Sequence, residues 1–302
     1  MIMFDSLAEL ITLAEAQGQP IHEIAIAREV EQSGRDRQTV WELMHNRLLV
    51  MRQSTEEGVS RPVESLSGIS GGAAWRLWQR LEEGYQPITG PLLSRAIARA
   101  MAVNEVNSGM GCIVATPTAG SAGILPGVLL TLQEAYGFSD AQLVNALFTA
   151  SSVGAVIARR ASISGAAGGC QAETGSAAAM AAAAAVELLG GTPRQSGQAV
   201  AITLKNMLGL VCDPVAGLVE VPCVKRNAAG AAQCFIAVDM AMAGIESVIP
   251  PDEVIDAMAR IGRLMDPRFK ETAEGGLAAT PTGQRLAQMI WQGKPPEELG
   301  PA

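Results

Sequence analysis

Apolar residues recur every three or four positions along most of this chain, and this pattern predicts helices almost throughout. In the first such segment, 3–17, the apolar positions are Phe4, Leu7, Leu10, Ile11 and Ala14. Further helices are predicted at 22–58, 91–107, 125–134, 140–159, 174–189, 196–210, 227–245, 251–264 and 283–292. Because no segment alternates convincingly with a period of two, the chain is expected to be all-α.

The composition changes along the chain. Charged residues are common before the Ser- and Gly-rich run 65–72, whereas Ala and Gly dominate after about residue 88. The pattern predicts an N-terminal helical segment over 1–70 and a larger helical domain over 71–302, which together are expected to form one continuous unit. The abundant small side chains predict closely packed helices.

The charge and the apolar segments exclude several classes of protein. The net charge is −8 and no basic stripe is present, which argues against nucleic-acid binding. The N-terminus lacks the basic start of a secretory signal, and the most apolar stretch, 177–189, contains Glu187 and is too short to cross a membrane. The five cysteines are an odd number at low density, so a reduced, cytoplasmic setting is expected.

Three of the cysteines lie beside glycine or proline in predicted turns: Cys170, Cys212 and Cys223. Their wide spacing does not match a compact zinc or ferredoxin motif, and spacing alone favours small buried hydrophobic residues. Their turn setting favours a second interpretation, in which loop thiolates ligate a metal centre and leave one position open. Cys112 and Cys234 are expected to be structural.

Lys205 interrupts an apolar helical run seven residues before Cys212. If the helix continues to Cys212, the two residues share a face, and the lysine could act as a base or stabilise a carboxylate. The alternative is a surface lysine whose stem lies along the helix.

Lys225, Arg226 and Asn227 follow Cys223 at a predicted helix start. The two cations and the helix N–H groups form either a carboxylate site or a solvated charge pair.

The loop 115–123 offers hydroxyl groups and backbone N–H groups in an arrangement typical of an anion nest. Its hydroxyl residues are Thr116, Thr118 and Ser121, and Ser164 in a later polar run could contribute similarly. The chain has only two histidines, which argues against a Ser-His hydrolase and against histidine-ligated zinc.

Five segments closely resemble the iron–sulfur L-serine dehydratases of bacteria. They are Asn104-Glu-Val-Asn107 and the longer runs 115–123, 161–173, 204–227 and 275–283. The resemblance covers essentially the whole chain and is closest over 100–283. The chain's length matches the separate alpha subunit of the two-subunit type, so the resemblance is to that subunit.

The resemblance implies an all-helical catalytic domain that binds a [4Fe–4S] cluster at a site built from loops. The family's three ligand positions fall on Cys170, Cys212 and Cys223, and pyridoxal phosphate is not required. The implied chemistry is Lewis-acid dehydration of L-serine, giving pyruvate and ammonia. The base that takes the Cα proton stays open between Lys205 and a group of the partner subunit.

The resemblance also implies partners. A separate beta subunit is expected, in a higher oligomer of alpha–beta pairs in the cytoplasm, with no membrane or nucleic acid. Some single-chain members end in a cysteine tail that reaches the active site; this chain ends Glu-Leu-Gly-Pro-Ala, so that tail is expected to be absent. Two alternatives stay open: a related cluster lyase that acts on cysteine, and a non-catalytic helical subunit stabilised by a metal. Preference between serine and threonine is also left open.

Overall fold

The structure is a computed structural model that describes residues 2–293. The helices of this part are α1 (Leu7–Gln17), α2 (Ile21–Ser33), α3 (Arg37–Ser60), α4 (Ala73–Glu82), α5 (Gly90–Ser108), α6 (Ile124–Tyr136), α7 (Asp140–Arg160), α8 (Gly165–Gly168), α9 (Cys170–Leu188), α10 (Pro193–Met207), α11 (Cys223–Met242), α12 (Pro251–Leu264) and α13 (Pro281–Gln292). No β-strand occurs among the described residues, so the all-α prediction is confirmed. The prediction about the chain's last residues lies outside this range.

Helix α9 lies at the centre of the molecule. All of its residues from Cys170 to Val186 are buried, and it packs against α6, α7, α10 and α11. A helix that is apolar on every side is stable only when other helices cover it. The run of alanines lets these neighbours approach closely, as the composition predicts.

Gly127 on α6 shows how close the approach becomes. A Cβ atom at this position would lie 2.8 Å from the backbone nitrogen of Ala100 and 2.9 Å from the carbonyl oxygen of Ala96. Helices α5 and α6 therefore meet backbone to backbone, and a side chain cannot be added without moving one of them.

Gly127→Ala should lower the free energy of unfolding by about 1–3 kcal/mol, because overpacking a rigid contact is destabilising. Gly175→Ala in α9 is the matched control, since the nearest atoms to its added Cβ lie 3.7 Å away. That variant should be neutral or slightly stabilised, because alanine favours helix more than glycine does. Urea unfolding of the two variants measures the difference, and equal midpoints would contradict the backbone-to-backbone contact.

The N-terminal helices share the core of the later ones. Phe4, Leu7 and Leu10 belong to the same buried cluster as Leu143 and Val144 of α7. This packing places α1 to α3 directly on the helices that surround α9.

The loop between α3 and α4 contains the predicted boundary at residue 70. The hydroxyl groups of Ser67 and Ser70 donate to the two carboxylate oxygens of the buried Glu220, at 2.5 and 2.6 Å. The loop is thereby tied to the segment that precedes Cys223.

Helix α4 was not predicted from the sequence. It follows Gly72, which has left-handed geometry and supplies no side-chain cap. The buried carboxylate of Glu105 on α5 instead accepts the N–H groups of Ala73 and Ala74, at 2.8 and 3.2 Å. Burial raises the pKa of Glu105. A cap that comes from a distant part of the chain leaves no local signal.

Helix α7 is the one helix of the described part that is long and apolar enough to cross a membrane. Most of its apolar window is buried, against α2, α3 and α9. It therefore packs as a core helix of this fold, and its length and composition alone are weak support for a membrane span.

Candidate metal centre

Cys170 and Cys223 are the first residues of α9 and α11. The expectation that the site is built from loops is therefore wrong for two of the three cysteines. The two helix starts were predicted four residues late. The residues before them, Gly169 and Pro222, form no side-chain cap. The difference matters chemically, since the free N–H groups of a helix N-terminus stabilise a thiolate.

Cys212 lies in the connection between α10 and α11 and is held by a distant segment. Its backbone N–H donates to the carbonyl of Phe269 at 2.8 Å, and its carbonyl accepts the N–H of Glu271 at 2.9 Å. We call residues 269–271 the strap. Tertiary hydrogen bonds of this kind fix the position of Cys212 without a helix or a sheet.

The three thiols lie together and are buried, with exposed fractions of 2% for Cys170, 3% for Cys212 and 6% for Cys223. A hydrogen bond from Cys212 lowers the pKa of Cys170 and raises that of Cys212 itself. Burial and the charge of Cys170 raise the pKa of Cys223 to about 12. One of the three thiols can therefore ionise on its own. All three can be thiolates together only when a bound cation replaces their protons, so this set of donors fits a metal cluster.

Arg226 is the cation that contacts these thiols. Its guanidinium donates to Cys170 Sγ at 3.3 Å, to the carbonyl of Val211 at 2.8 Å and to Asp213 Oδ1 at 2.7 Å. The other oxygen of Asp213 accepts the N–H of Leu277 at 2.7 Å. Hydrogen bonds to cysteine sulfur tune a cluster, so Arg226 is suited to that task.

Arg226→Met should lower the free energy of unfolding of the metal-free chain by about 3 kcal/mol, because it leaves the buried Asp213 carboxylate without its cation. The double variant Arg226→Met with Asp213→Asn should recover part of that loss, since no unpaired charge is left. Urea unfolding of both variants measures the effect. If the single variant is as stable as the parent chain, the buried ion pair does not hold this site together.

Glu173 is a buried carboxylate that the sequence analysis did not assign. It lies one turn after Cys170 on α9 and is 6% exposed. Burial raises its pKa, while the Thr118 hydroxyl and the Gly165 N–H donate to it and lower that pKa in part. Glu173 therefore joins the loop 115–123 to the cysteine centre.

Gly165 leaves the space in which these groups meet. A Cβ atom there would lie 2.8 Å from Glu173 Oε2, 2.9 Å from Cys212 Sγ and 3.2 Å from Glu271 Oε2. Only glycine keeps this volume open to a bound group.

The predicted anion loop is held from two sides. Asn227 accepts the Gly123 N–H at 2.9 Å and donates to the carbonyls of Gly120 and Cys223, at 2.7 and 2.9 Å. Asn104 donates to the carbonyls of Ala119 and Gly120, at 3.1 and 3.4 Å. Because the amide of Asn227 is buried and used within the protein, its direct contacts position the loop.

The hydroxyl groups of this loop bond within it. Thr116 Oγ1 donates to the Ala122 carbonyl at 3.2 Å, and Ser121 Oγ donates to the Thr116 carbonyl at 3.4 Å. Thr118 Oγ1 lies 3.2 Å from Ser121 Oγ and also reaches Glu173. Of the three hydroxyls, Thr118 is therefore the one tied to the cysteine centre.

Three predicted site residues, Lys225, Ser164 and Lys205, are at least partly exposed and form no hydrogen bond with the three thiols. Lys225 is exposed beside Cys223, and Ser164 is partly exposed at the start of α8. Lys205 is exposed and its ammonium group donates to the Ser247 carbonyl at 3.1 Å. The premise that one helix joins Lys205 to Cys212 is wrong, because α10 ends at Met207. The catalytic role of Lys205 stays a prediction.

Three residues of the centre were not assigned from the sequence: Glu173, Asp213 and Glu271. Arg226, predicted as part of a carboxylate site, contacts Cys170 and Asp213. Glu173 lay just before the predicted helix 174–189, so its shared face with Cys170 became visible only once α9 was seen to begin at Cys170. Glu271 had no signal in the sequence, because the backbone of the strap brings it to Cys212 from far along the chain.

The fold and the site define a helical protein with a buried three-thiol centre framed by a cation and carboxylates. The family model described as "Serine dehydratase alpha chain" matches residues 16–278. This chain belongs to that family.

Relatives of two lengths match the chain. The "Probable L-serine dehydratase, alpha chain" of Bacillus subtilis is 52% identical over 96% of both chains. The "L-serine dehydratase, alpha chain" of Peptoniphilus asaccharolyticus is 41% identical over 94% of this chain and 97% of its own. The "L-serine dehydratase" of Streptomyces coelicolor is 38% identical over 89% of this chain but only 59% of its own length.

Proposed function

We propose that this chain is the alpha subunit of an iron–sulfur L-serine dehydratase, a lyase that converts L-serine to pyruvate and ammonia. The observation that carries the proposal is the meeting of three buried thiols from three separate segments. The names of the relatives with matching length support the same substrate.

Cys170, Cys212 and Cys223 would hold a [4Fe–4S] cluster, and no pyridoxal phosphate would be needed. With three protein ligands for four irons, the bound cluster supplies a Lewis acid that weakens the bond between the serine hydroxyl and Cβ. Arg226 would stabilise the negative charge of the thiolates through its hydrogen bond to Cys170 Sγ. Gly165 would leave the volume in which cluster and substrate meet.

The remaining residues would bind the substrate and move its proton. Lys225 and the hydroxyls of Thr118 and Ser164 are proposed to face the substrate carboxylate. Thr116 and Ser121, whose hydroxyls donate inside the loop, and Asn227 are proposed to hold that loop in place.

Glu173 is the carboxylate of this chain best placed to accept the Cα proton. It is buried beside the thiols and already accepts hydrogen bonds that orient it. Lys205 and a group of the partner subunit are the alternatives. Loss of the Cα proton and of hydroxide leaves aminoacrylate, which tautomerises and is hydrolysed to pyruvate and ammonia.

A separate beta subunit is proposed as the partner, within a higher oligomer of alpha–beta pairs in the cytoplasm. The names of the two relatives of matching length contain "alpha chain", which supports a separate partner subunit.

The test is an assay of the chain purified without oxygen, alone and with a co-expressed beta chain, without added pyridoxal phosphate. Serine, threonine and cysteine are supplied in parallel, and pyruvate, oxobutyrate and sulfide are measured. The proposal predicts pyruvate from serine as the main product. Sulfide from cysteine at a higher rate would support a cysteine lyase instead, and no turnover with the beta chain present would support a non-catalytic subunit.

A further inference from the structure

Glu271 has no part in the function proposed above, although its carboxylate reaches the three-thiol centre. One oxygen each of Glu173 and Glu271 and the Sγ atom of Cys212 lie within 4.8 Å of one another. All three atoms also converge on the volume above Gly165. Donor atoms that serve one metal centre lie at such separations.

The backbone holds Glu271 in this place at a conformational cost. Its φ angle is 63°, in the left-handed region that non-glycine residues rarely adopt. The hydrogen bonds of the strap fix it there, since its N–H donates to the carbonyl of Cys212. Strained backbone that the surroundings enforce is concentrated at functional sites.

The two carboxylates differ in their bonding. Glu173 is buried, and the neighbouring Thr118 hydroxyl and Gly165 N–H lower its pKa in part. Within residues 2–293 the carboxylate of Glu271 accepts no hydrogen bond and forms no ion pair. Of the two, Glu271 is also the more exposed. It can therefore bind a cation and release it without breaking contacts inside the protein.

The charges around Glu271 call for a cation. One carboxylate oxygen of Glu173 and one of Glu271 lie within 4.8 Å of each other and of Cys212 Sγ, so two negative groups are crowded beside this thiol. The guanidinium of Arg226 forms its hydrogen bonds with Asp213, Cys170 and the Val211 carbonyl, and none with Glu271. An iron atom beside Glu271 would turn this repulsion into attraction.

We propose that Glu271 is the fourth, exchangeable ligand of the cluster, the group that the substrate replaces. This inference rests on the function proposed above. The exchange breaks one bond between iron and a Glu271 oxygen and forms one to a substrate oxygen, with no electron transferred. The released carboxylate stays on the strap and can return when the product leaves.

The test measures how tightly the fourth iron is held. The variants are Glu271→Gln, which keeps the shape, and Glu271→Gly, which keeps the left-handed backbone. Glu274→Gln is the matched control, because it makes the same charge change on a nearby exposed side chain. Each protein is reconstituted without oxygen and exposed to limiting ferricyanide, and the electron paramagnetic resonance signal of a three-iron cluster is followed over time.

Glu271→Gln and Glu271→Gly should lose the fourth iron about tenfold faster than the parent chain, the size typical for loss of a metal-site group. Glu274→Gln should match the parent. If the Glu271→Gly protein holds its fourth iron as long as the parent, the inference is overturned, even where the glutamine variant fails to fold. If the parent chain itself takes up no cluster, the proposed function fails, which is a distinguishable result.

Discussion

Cys212→Ala should give a folded chain that binds no iron–sulfur cluster and forms no pyruvate above background. The thiol of Cys212 is buried, shares a hydrogen bond with Cys170 and lies beside both carboxylates of the centre. The strap fixes the backbone at this point, so alanine here would leave the centre with two thiols. The same loss is expected for Cys170→Ala and Cys223→Ala. Iron, acid-labile sulfide and the visible absorbance of the anaerobic protein measure it.

The chain carries its own controls for this experiment. Cys112 is exposed, and Cys234 is buried inside α11 among core residues. Cys112→Ala should keep both the cluster and the activity. Cys234→Ala should keep the cluster. It should lower only the free energy of unfolding, by about 1 kcal/mol or more, because the shorter side chain leaves a cavity in the core. A full cluster in any of the three ligand variants would refute the ligand assignment.

Glu173→Gln should lower kcat by about 10²- to 10⁴-fold, the contribution typical of a positioned general base. Glutamine has nearly the same shape and can still accept the hydrogen bonds of Thr118 and Gly165. The loop and the cysteines should therefore stay in place, and the cluster content should equal that of the parent. Steady-state pyruvate formation by the complex with the beta chain, alongside iron and sulfide content, measures both quantities.

Lys205→Met is the comparison for this variant. Lys205 is exposed and bonded to the Ser247 carbonyl, so its replacement should change kcat much less than Glu173→Gln does. If Lys205→Met removes turnover and Glu173→Gln does not, the proton is taken by the lysine. If neither variant is impaired, the base belongs to the partner subunit.

Most helices could be predicted from the sequence because each carries an apolar stripe that the core must cover. The exceptions are the short helix α8, the helix α4 and the starts of α9 and α11. Helix α4 begins at a cap supplied by Glu105, and α9 and α11 begin without a capping side chain. Local pattern cannot reveal a helix start that is stabilised only by tertiary contacts.

The residues of the candidate site also fall into two groups, those that the sequence could predict and those that needed the structure. The three cysteines could be selected from their turn setting and from the resemblance to a known family. The role of Asn227 as a support for the loop needed the structure, because it depends on contacts with Gly120 and Gly123. Lys205 was selected on the premise of a continuous helix that ends before Cys212. Glu271 could not be found at all from sequence spacing, since the strap alone brings it to the centre.

The central claim is that three buried cysteines of this chain hold a four-iron cluster. The most direct measurement is the iron and acid-labile sulfide content per chain after anaerobic purification or reconstitution. A [4Fe–4S] cluster on these cysteines gives about four of each, falling to background in Cys212→Ala and unchanged in Cys112→Ala. Iron without sulfide, or one tightly bound zinc per chain, would contradict it.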